Sequence, residues 1–128
     1  MSWESAYVGI PFGVGPGEVT CWSLVCEVYR DRLGITLPEY GEIDARDLVR
    51  IAAAMEAGAD DGWAQVDPPR ELDVVLMRGW RGRGVVHVGV MVDDRRLLHV
   101  EEASATVVVP LTHRSVARRV VGFRRLAQ

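Results

Sequence analysis

Three residues combine reactive side chains with an informative setting: Cys21, His87 and His99. Cys21 stands in the run Thr20-Cys21-Trp22-Ser23-Leu24-Val25-Cys26. From there Trp22, Val25, Cys26, Tyr29 and Leu33 recur at helical spacing, which predicts an amphipathic helix with one buried face. Thr20 is a good N-cap, its hydroxyl free to accept a backbone N–H, and Gly34 sits where a left-handed C-cap belongs. Cys21 then falls in the first turn, where the helix dipole and the free amides favour an anion. The expectation is a thiol pKa below its ordinary value. The competing reading is a small apolar core residue. His87 lies inside an apolar run, Val85-Val86-His87-Val88-Gly89-Val90-Met91-Val92, and its competing reading is a core histidine with satisfied hydrogen bonds. His99 follows on the next strand of the apparent hairpin. If the connecting turn has an odd residue count, His87 and His99 face the same side. In one such register His99 lies opposite Gly89 and diagonal to His87, roughly 7–8 Å away between backbones. One thiol and two imidazoles can supply nucleophile, base and orienter. The rival use of Cys21, His87 and His99 is a three-ligand metal site with an open position. No acidic general base stands at a motif spacing, and Glu101 and Glu102 read as charges at a hairpin end. His113, in a polar run, reads as exposed.

The elements that must position these residues change character along the chain. Residues 1–8 read as a short helix or turn. A Gly/Pro loop follows at 9–17, and the cysteine helix runs to about Leu33. Ile35 to Tyr40 reads as extended, because Pro38 disfavours helix on its N-terminal side. Asp44 opens a second helix with Leu48, Ile51, Ala52 and Met55 on its apolar face, and Gly58 ends it. Residues 59–71 read as a polar loop closing on Pro68-Pro69. The period then becomes strand-like at Val74–Met77, Val85–Val92, Leu97–Glu101, Thr106–Val109 and Val120–Phe123. Helices first and an antiparallel meander afterwards make a single α+β domain over residues 1–128.

Composition narrows the function classes. The 128 residues carry 48% apolar and 26% charged side chains with a net charge of −3. That is ordinary for a globular domain and implies no nucleic-acid partner. Two cysteines five apart on one helix point in different directions, so a disulfide between them is not expected. Cys26 shares the apolar stripe and reads as core. There is no CxxC and no stretch long enough to span a bilayer. The start, Met1-Ser2-Trp3-Glu4-Ser5, has neither a basic region nor an apolar one, so no secretory signal is expected.

An ordered set of motifs resembles the NlpC/P60 family, papain-like cysteine peptidases that cut bacterial cell-wall peptides. The set is Tyr7-Val8-Gly9-Ile10-Pro11-Phe12, then Cys21-Trp22-Ser23-Leu24-Val25, Leu72-Asp73-Val74-Val75-Leu76, His87-Val88-Gly89-Val90 and Leu98-His99-Val100. The Cys-Trp start and the stretch from Leu33 to Tyr40 resemble the branch found in phage tails and gene transfer agents. The resemblance implies a papain-like fold with N-terminal helices packed on an antiparallel meander. It implies Cys21 as nucleophile, His87 as base and His99 as the residue that orients it. The Cys21 amide would contribute to the oxyanion hole. No metal and no organic cofactor is implied. Three positions depart from the family pattern: Thr20 and Trp22 replace Asp and Ser around the cysteine, and Phe12 replaces Tyr after Pro11. The family residues there help to hold the polar end of a wall peptide, so Phe12, Thr20 and Trp22 are the candidate substrate-binding positions, and the bond cut is left open.

The resulting expectation is a peptidoglycan peptide hydrolase carried on a phage or phage-like tail tip. Its partners would be wall peptides and tail hub proteins, and it would be made in the bacterial cytoplasm without a signal peptide. Two alternatives stand beside it: an inactive structural adaptor of the tail, which predicts a buried Cys21, and a thiol amidase or acyltransferase on another substrate. The basic loop Arg78-Gly79-Trp80-Arg81-Gly82-Arg83-Gly84 precedes the His87 strand and is expected either to dock the domain or to edge the substrate groove.

Overall fold

The stripe from Trp22 to Leu33 forms the one α-helix among the described residues of a computed structural model, which describes residues 2–37, 62–80 and 85–127. This helix, α1, spans Cys21–Leu33. Thr20 caps it: its hydroxyl accepts from the Ser23 amide, and the Ser23 hydroxyl accepts from the Thr20 amide, a reciprocal capping box. Gly34 ends it at φ 67, a left-handed geometry that a side chain would strain. A single 3-10 turn at Trp3–Ala6 precedes it. The expected second helix, from Asp44 to Gly58, and the stretch Pro38 to Tyr40 lie outside the described residues, as do Arg81 to Gly84.

Among the described residues six strands follow: β1 (Trp63–Val66), β2 (Val74–Arg78), β3 (Val85–Met91), β4 (Arg96–His99), β5 (Val107–Pro110) and β6 (Val120–Leu126). They form one sheet in the order β1-β6-β2-β3-β4-β5, with every pairing antiparallel. Two expectations are corrected. Residues 59–71 are not all loop, because Trp63–Val66 is an edge strand on β6. The sheet is not a simple meander either. Only β2 to β5 follow one another, and β6 returns to lie between β1 and β2. A buried carboxylate helps to hold that return. Asp73 is 2% exposed, and Arg125 of β6 grips it through Nε at 2.8 Å and Nη2 at 2.7 Å. A paired fork of this kind satisfies a charge that burial would otherwise penalise.

The sheet separates two apolar layers. On one face α1 packs with Trp22, Leu24, Val25, Val28 and Tyr29 against Val74, Leu76, Val88, Val90 and Leu98. On the other face Val75, Met77, Met91, Leu97 and Val116 cluster. Each fully buried aliphatic chain in these layers contributes about 1.5–3 kcal/mol.

The loop before α1 is tied down rather than free. Gly9 and Phe12 donate backbone hydrogen bonds to Thr106 and Ser104 at 2.8 and 2.9 Å, and Thr106 donates back to Ile10 at 2.8 Å. Val19 donates to Pro11 at 3.0 Å. This folded loop delivers Cys21 beside the β4–β5 connection.

Gly89 sets the approach of β4 to β3. A Cβ there would lie 3.0 Å from the Leu98 carbonyl oxygen and 3.1 Å from His99 Cβ. Gly89→Ala is therefore expected to cost about 1–3 kcal/mol, because a backbone carbonyl must give way. Urea unfolding measures it, and an unchanged midpoint would show that the strands have slack.

Candidate functional site

The turn between β3 and β4 fixes the histidines. The Asp93 carboxylate accepts from the amides of Arg95 and Arg96 at 2.8 and 2.9 Å. Its pKa is lowered first by the Arg95 amide bond. The register Val90↔Leu98 and Met91↔Leu97 then continues to place His99 beside Gly89, the arrangement expected from an odd turn. His87 pairs across β2 with Met77. Both histidines are buried, at 6% and 3% exposure. His87 Nε2 and His99 Nδ1 are joined by a hydrogen bond of 2.9 Å, with the rings edge to face at 68°. The pair uses one nitrogen of each ring and leaves His87 Nδ1 and His99 Nε2 for other partners.

Cys21 occupies the first position of α1 and is 7% exposed. The paired part of the β3–β4 ladder stops at Val90 and Leu98. Beyond it the Val88 amide lies near enough to the Cys21 sulfur to lower its pKa, as do the amides of Trp22 and Cys21 itself. The thiol thus lies at the β3 backbone, one residue from His87. Cys26 is buried in the helix-side layer and, like Cys21, forms no disulfide, as its place on the stripe predicts.

The electrostatics differ from the expectation in direction. Burial pushes the Cys21 thiol up to about 11, more than the Val88, Trp22 and Cys21 amides pull it down. Burial likewise pushes His87 down to about 3, with His99 and Arg119 adding to the effect. His99 is lowered too, first by burial, while the Glu101 carboxylate raises it. The helix start does supply its amides, but removing water from the sulfur outweighs them. At neutral pH the resting thiol and imidazoles are therefore uncharged. A rise from 9.0 to about 11 lowers the thiolate fraction about 100-fold at neutral pH. Iodoacetamide is accordingly expected to alkylate Cys21 about 100-fold more slowly at pH 7 than an ordinary exposed thiol. Peptide mapping of the alkylated sites measures this, and fast labelling of Cys21 below pH 7 would contradict it.

The other candidate positions separate clearly. Trp22 is 2% exposed in the helix-side layer, and Thr20 is 7% exposed with its hydroxyl engaged in the cap. Thr20 thus caps the helix that starts at Cys21, and Trp22 lies in the core beside it. Phe12 is partly exposed and packs against the same layer. His113 is exposed and hydrogen-bonded to Ser115 at 2.6 Å.

Glu101 corrects the reading of a mere hairpin-end charge. One carboxylate oxygen and one ring nitrogen each of His87 and His99 lie within 4.8 Å of one another. Arg119 Nη1 donates to Glu101 Oε1. The signal for Glu101 was its place two residues beyond His99, on the same side of an extended chain. Arg119 is brought in by the β5–β6 connection and had no such signal. As donors, two imidazoles and a carboxylate suit a transition metal. Here, however, His87 Nε2 and His99 Nδ1 bond to each other and Glu101 bonds Arg119, so the group is satisfied without a cation.

The family model described as "NlpC/P60 family" matches residues 9–125. The chain belongs to the NlpC/P60 family. Three solved structures share the fold. An NLP/P60 family protein from Staphylococcus aureus, described as similar to lipoprotein, has a TM-score of 0.65 at 22% identity, covering 98% of this chain and 39% of that one. An NlpC/P60 family protein from Bacillus cereus gives 0.70 at 21%, covering 98% and 38%. The NlpC/P60 domain of the peptidoglycan hydrolase SagA gives 0.59 at 14%, covering 98% and 92%. This NlpC/P60 chain thus spans about two fifths of the length of the first two. No curated protein matches it.

Proposed function

We propose that this NlpC/P60 domain hydrolyses peptide bonds in bacterial cell-wall peptides. The hydrogen bond between His87 Nε2 and His99 Nδ1, beside a helix-start cysteine, is the observation that carries the reading. The naming of the SagA domain as part of a peptidoglycan hydrolase supports the substrate class.

In this reading the Cys21 sulfur attacks the peptide carbonyl carbon while its proton passes to His87 Nδ1. His99 orients His87 through the shared hydrogen bond. The carbonyl oxygen gains the negative charge and accepts from the Cys21 amide. The C–N bond then breaks, the amine leaves with the proton from His87, and a thioester remains on Cys21. Water adds to that thioester, His87 takes the water's proton, and the acid departs as the sulfur is reprotonated. Because the resting pair is uncharged, His87 acts as a general base in the attack step and not as half of a preformed ion pair. Carriage on a phage or phage-like tail tip, with hub proteins as partners, is the setting we propose from the Cys-Trp start and the Leu33 to Tyr40 stretch.

The burial of Cys21 and its raised pKa favour one second reading, an inactive adaptor that keeps the fold. Purified peptidoglycan incubated with wild type and with Cys21→Ala separates the two. Fragments with new amine and carboxyl ends from wild type alone support the hydrolase. Intact wall from both supports the adaptor.

A further inference from the structure

The far end of α1 closes on a second place where charged groups gather. Arg32 lies in the last turn of the helix that Cys21 opens, roughly 16 Å along the axis from the thiol. There a cavity of about 360 Å³ opens between the 3-10 turn, α1 and the β3–β4 turn, and Trp3, Glu4, Arg32, Glu71, Asp93 and Arg96 line it. That volume is at the small end of the range for small-molecule sites, roughly 300–1,000 Å³. Most of its polar groups are already engaged. Asp93 accepts from the Arg95 and Arg96 amides, and Arg96 grips it through Nε and Nη2, each at 2.9 Å. Glu71 accepts from the Trp3 indole at 3.1 Å, which fixes that ring as one wall. Two groups are left over. Glu4 is 6% exposed, yet among the described residues its carboxylate makes no hydrogen bond. Its ionic partner is Arg96 Nη2 at 3.9 Å, beyond hydrogen-bond reach and already held by Asp93. Arg32 is exposed and forms no ion pair among the described residues; its guanidinium carbon rests 6.0 Å from the Trp3 ring.

A carboxylate that deep without a donor carries an unmet desolvation cost. No sealed side-chain oxygen lacks a partner among the described residues, so the Glu4 oxygens reach accessible space, and the cavity they line is where they meet it. A hard metal ion does not suit the place. It needs several oxygens around it, and Glu4, Glu71 and Asp93 do not converge: among the described residues the one group of three close potential ligands is His87, His99 and Glu101. A cation that donates hydrogen bonds does suit it. We propose that this cavity binds a small zwitterion, an amino acid or a short peptide, with its ammonium on Glu4 and its carboxylate on Arg32. An ammonium brings three donors, which the bare carboxylate lacks. The guanidinium offers a planar fork to the ligand's carboxylate. The Trp3 ring and Val92 give the ligand's carbon skeleton an apolar wall. An amine alone would leave Arg32 without a partner, and a carboxylate alone would leave Glu4 without one. The site is separate from the thiol and stands whether or not the domain cuts wall peptides.

The test titrates the full chain, labelled with nitrogen-15, with alanine, alanyl-alanine, ethylamine and propionate, and follows the Trp3 indole and the Arg96 amide by NMR. Alanine or alanyl-alanine should shift both signals to saturation below about 100 mM, which even millimolar affinity ensures. Tighter binding of the dipeptide identifies a short peptide as the ligand, and equal or weaker binding identifies the amino acid. Ethylamine and propionate should each bind at least about tenfold more weakly than the better zwitterion, since each leaves one charge unmatched. Glu4→Gln, which keeps the shape, and Arg32→Gln, at an exposed position, should each weaken binding about tenfold or more. Cys21→Ala should leave binding unchanged. No saturable shift with either zwitterion would overturn the inference. So would ethylamine or propionate binding as tightly as the zwitterions, or wild-type affinity in Glu4→Gln or Arg32→Gln. Binding as expected by a protein that leaves peptidoglycan uncut would sink the hydrolase reading and leave this site standing.

Discussion

Cys21→Ala is expected to lower kcat for wall-peptide hydrolysis by at least about 10⁴-fold while the protein stays folded. In the proposed mechanism Cys21 is the nucleophile, so its loss removes the covalent route, and neither histidine can replace a sulfur that forms a thioester. The change should cost the fold little, on the order of 1 kcal/mol, because it removes one buried atom and leaves the Thr20–Ser23 cap untouched. Cys26→Ala is the control. Its thiol is buried at 3% exposure in the helix-side layer, so hydrolysis should survive even if stability falls. Steady-state rates with matched thermal melts measure both. Equal loss of activity in the two variants would point to packing and away from chemistry.

Acid is expected to destabilise the protein through the same histidines. His87 titrates at about 3 in the fold against 6.5 as an ordinary side chain. Between those values the unfolded chain binds a proton that the folded chain refuses, so stability rises with pH across that window and is lost as pH falls. At pH 5 this group alone should cost about 2 kcal/mol relative to pH 7 and above, and at pH 3 about 4 kcal/mol. His99, also lowered, adds in the same direction. Cys21 acts at the other end. Its folded pKa lies above the ordinary one, so its contribution is complete below pH 9 and is lost as pH rises toward 11. Urea unfolding at pH 4.5, 7 and 10 measures the dome, and His87→Gln should flatten its acid side. An acid side as steep in His87→Gln as in wild type would show that other groups carry it.

Much of this was legible in the sequence because the signals were local. The helix and its Thr20 and Gly34 caps, the His87 strand, and the register that brings His99 beside Gly89 all follow from period and turn parity. What was missed depends on contacts distant in sequence. Trp63–Val66 has no clean alternation and becomes a strand by pairing with β6. The insertion of β6 beside β2 is fixed by packing and by the Asp73–Arg125 fork, with partners 52 residues apart. The direction of the Cys21 shift depended on how dry the helix start would be, which helix position alone does not give. From sequence Glu101 reads as a hairpin-end charge, because no local signal places Arg119, its partner from the β5–β6 connection, beside it.

The central claim is that Cys21 forms the acyl intermediate with His87 as its base. The most direct measurement is mass spectrometry of wild-type protein quenched in acid during peptidoglycan digestion. The account predicts an added acyl mass on the peptide that contains Cys21, absent from Cys21→Ala, together with released fragments bearing new amine ends. Fragments released by Cys21→Ala as fast as by wild type, or an adduct on Cys26 instead, would contradict it.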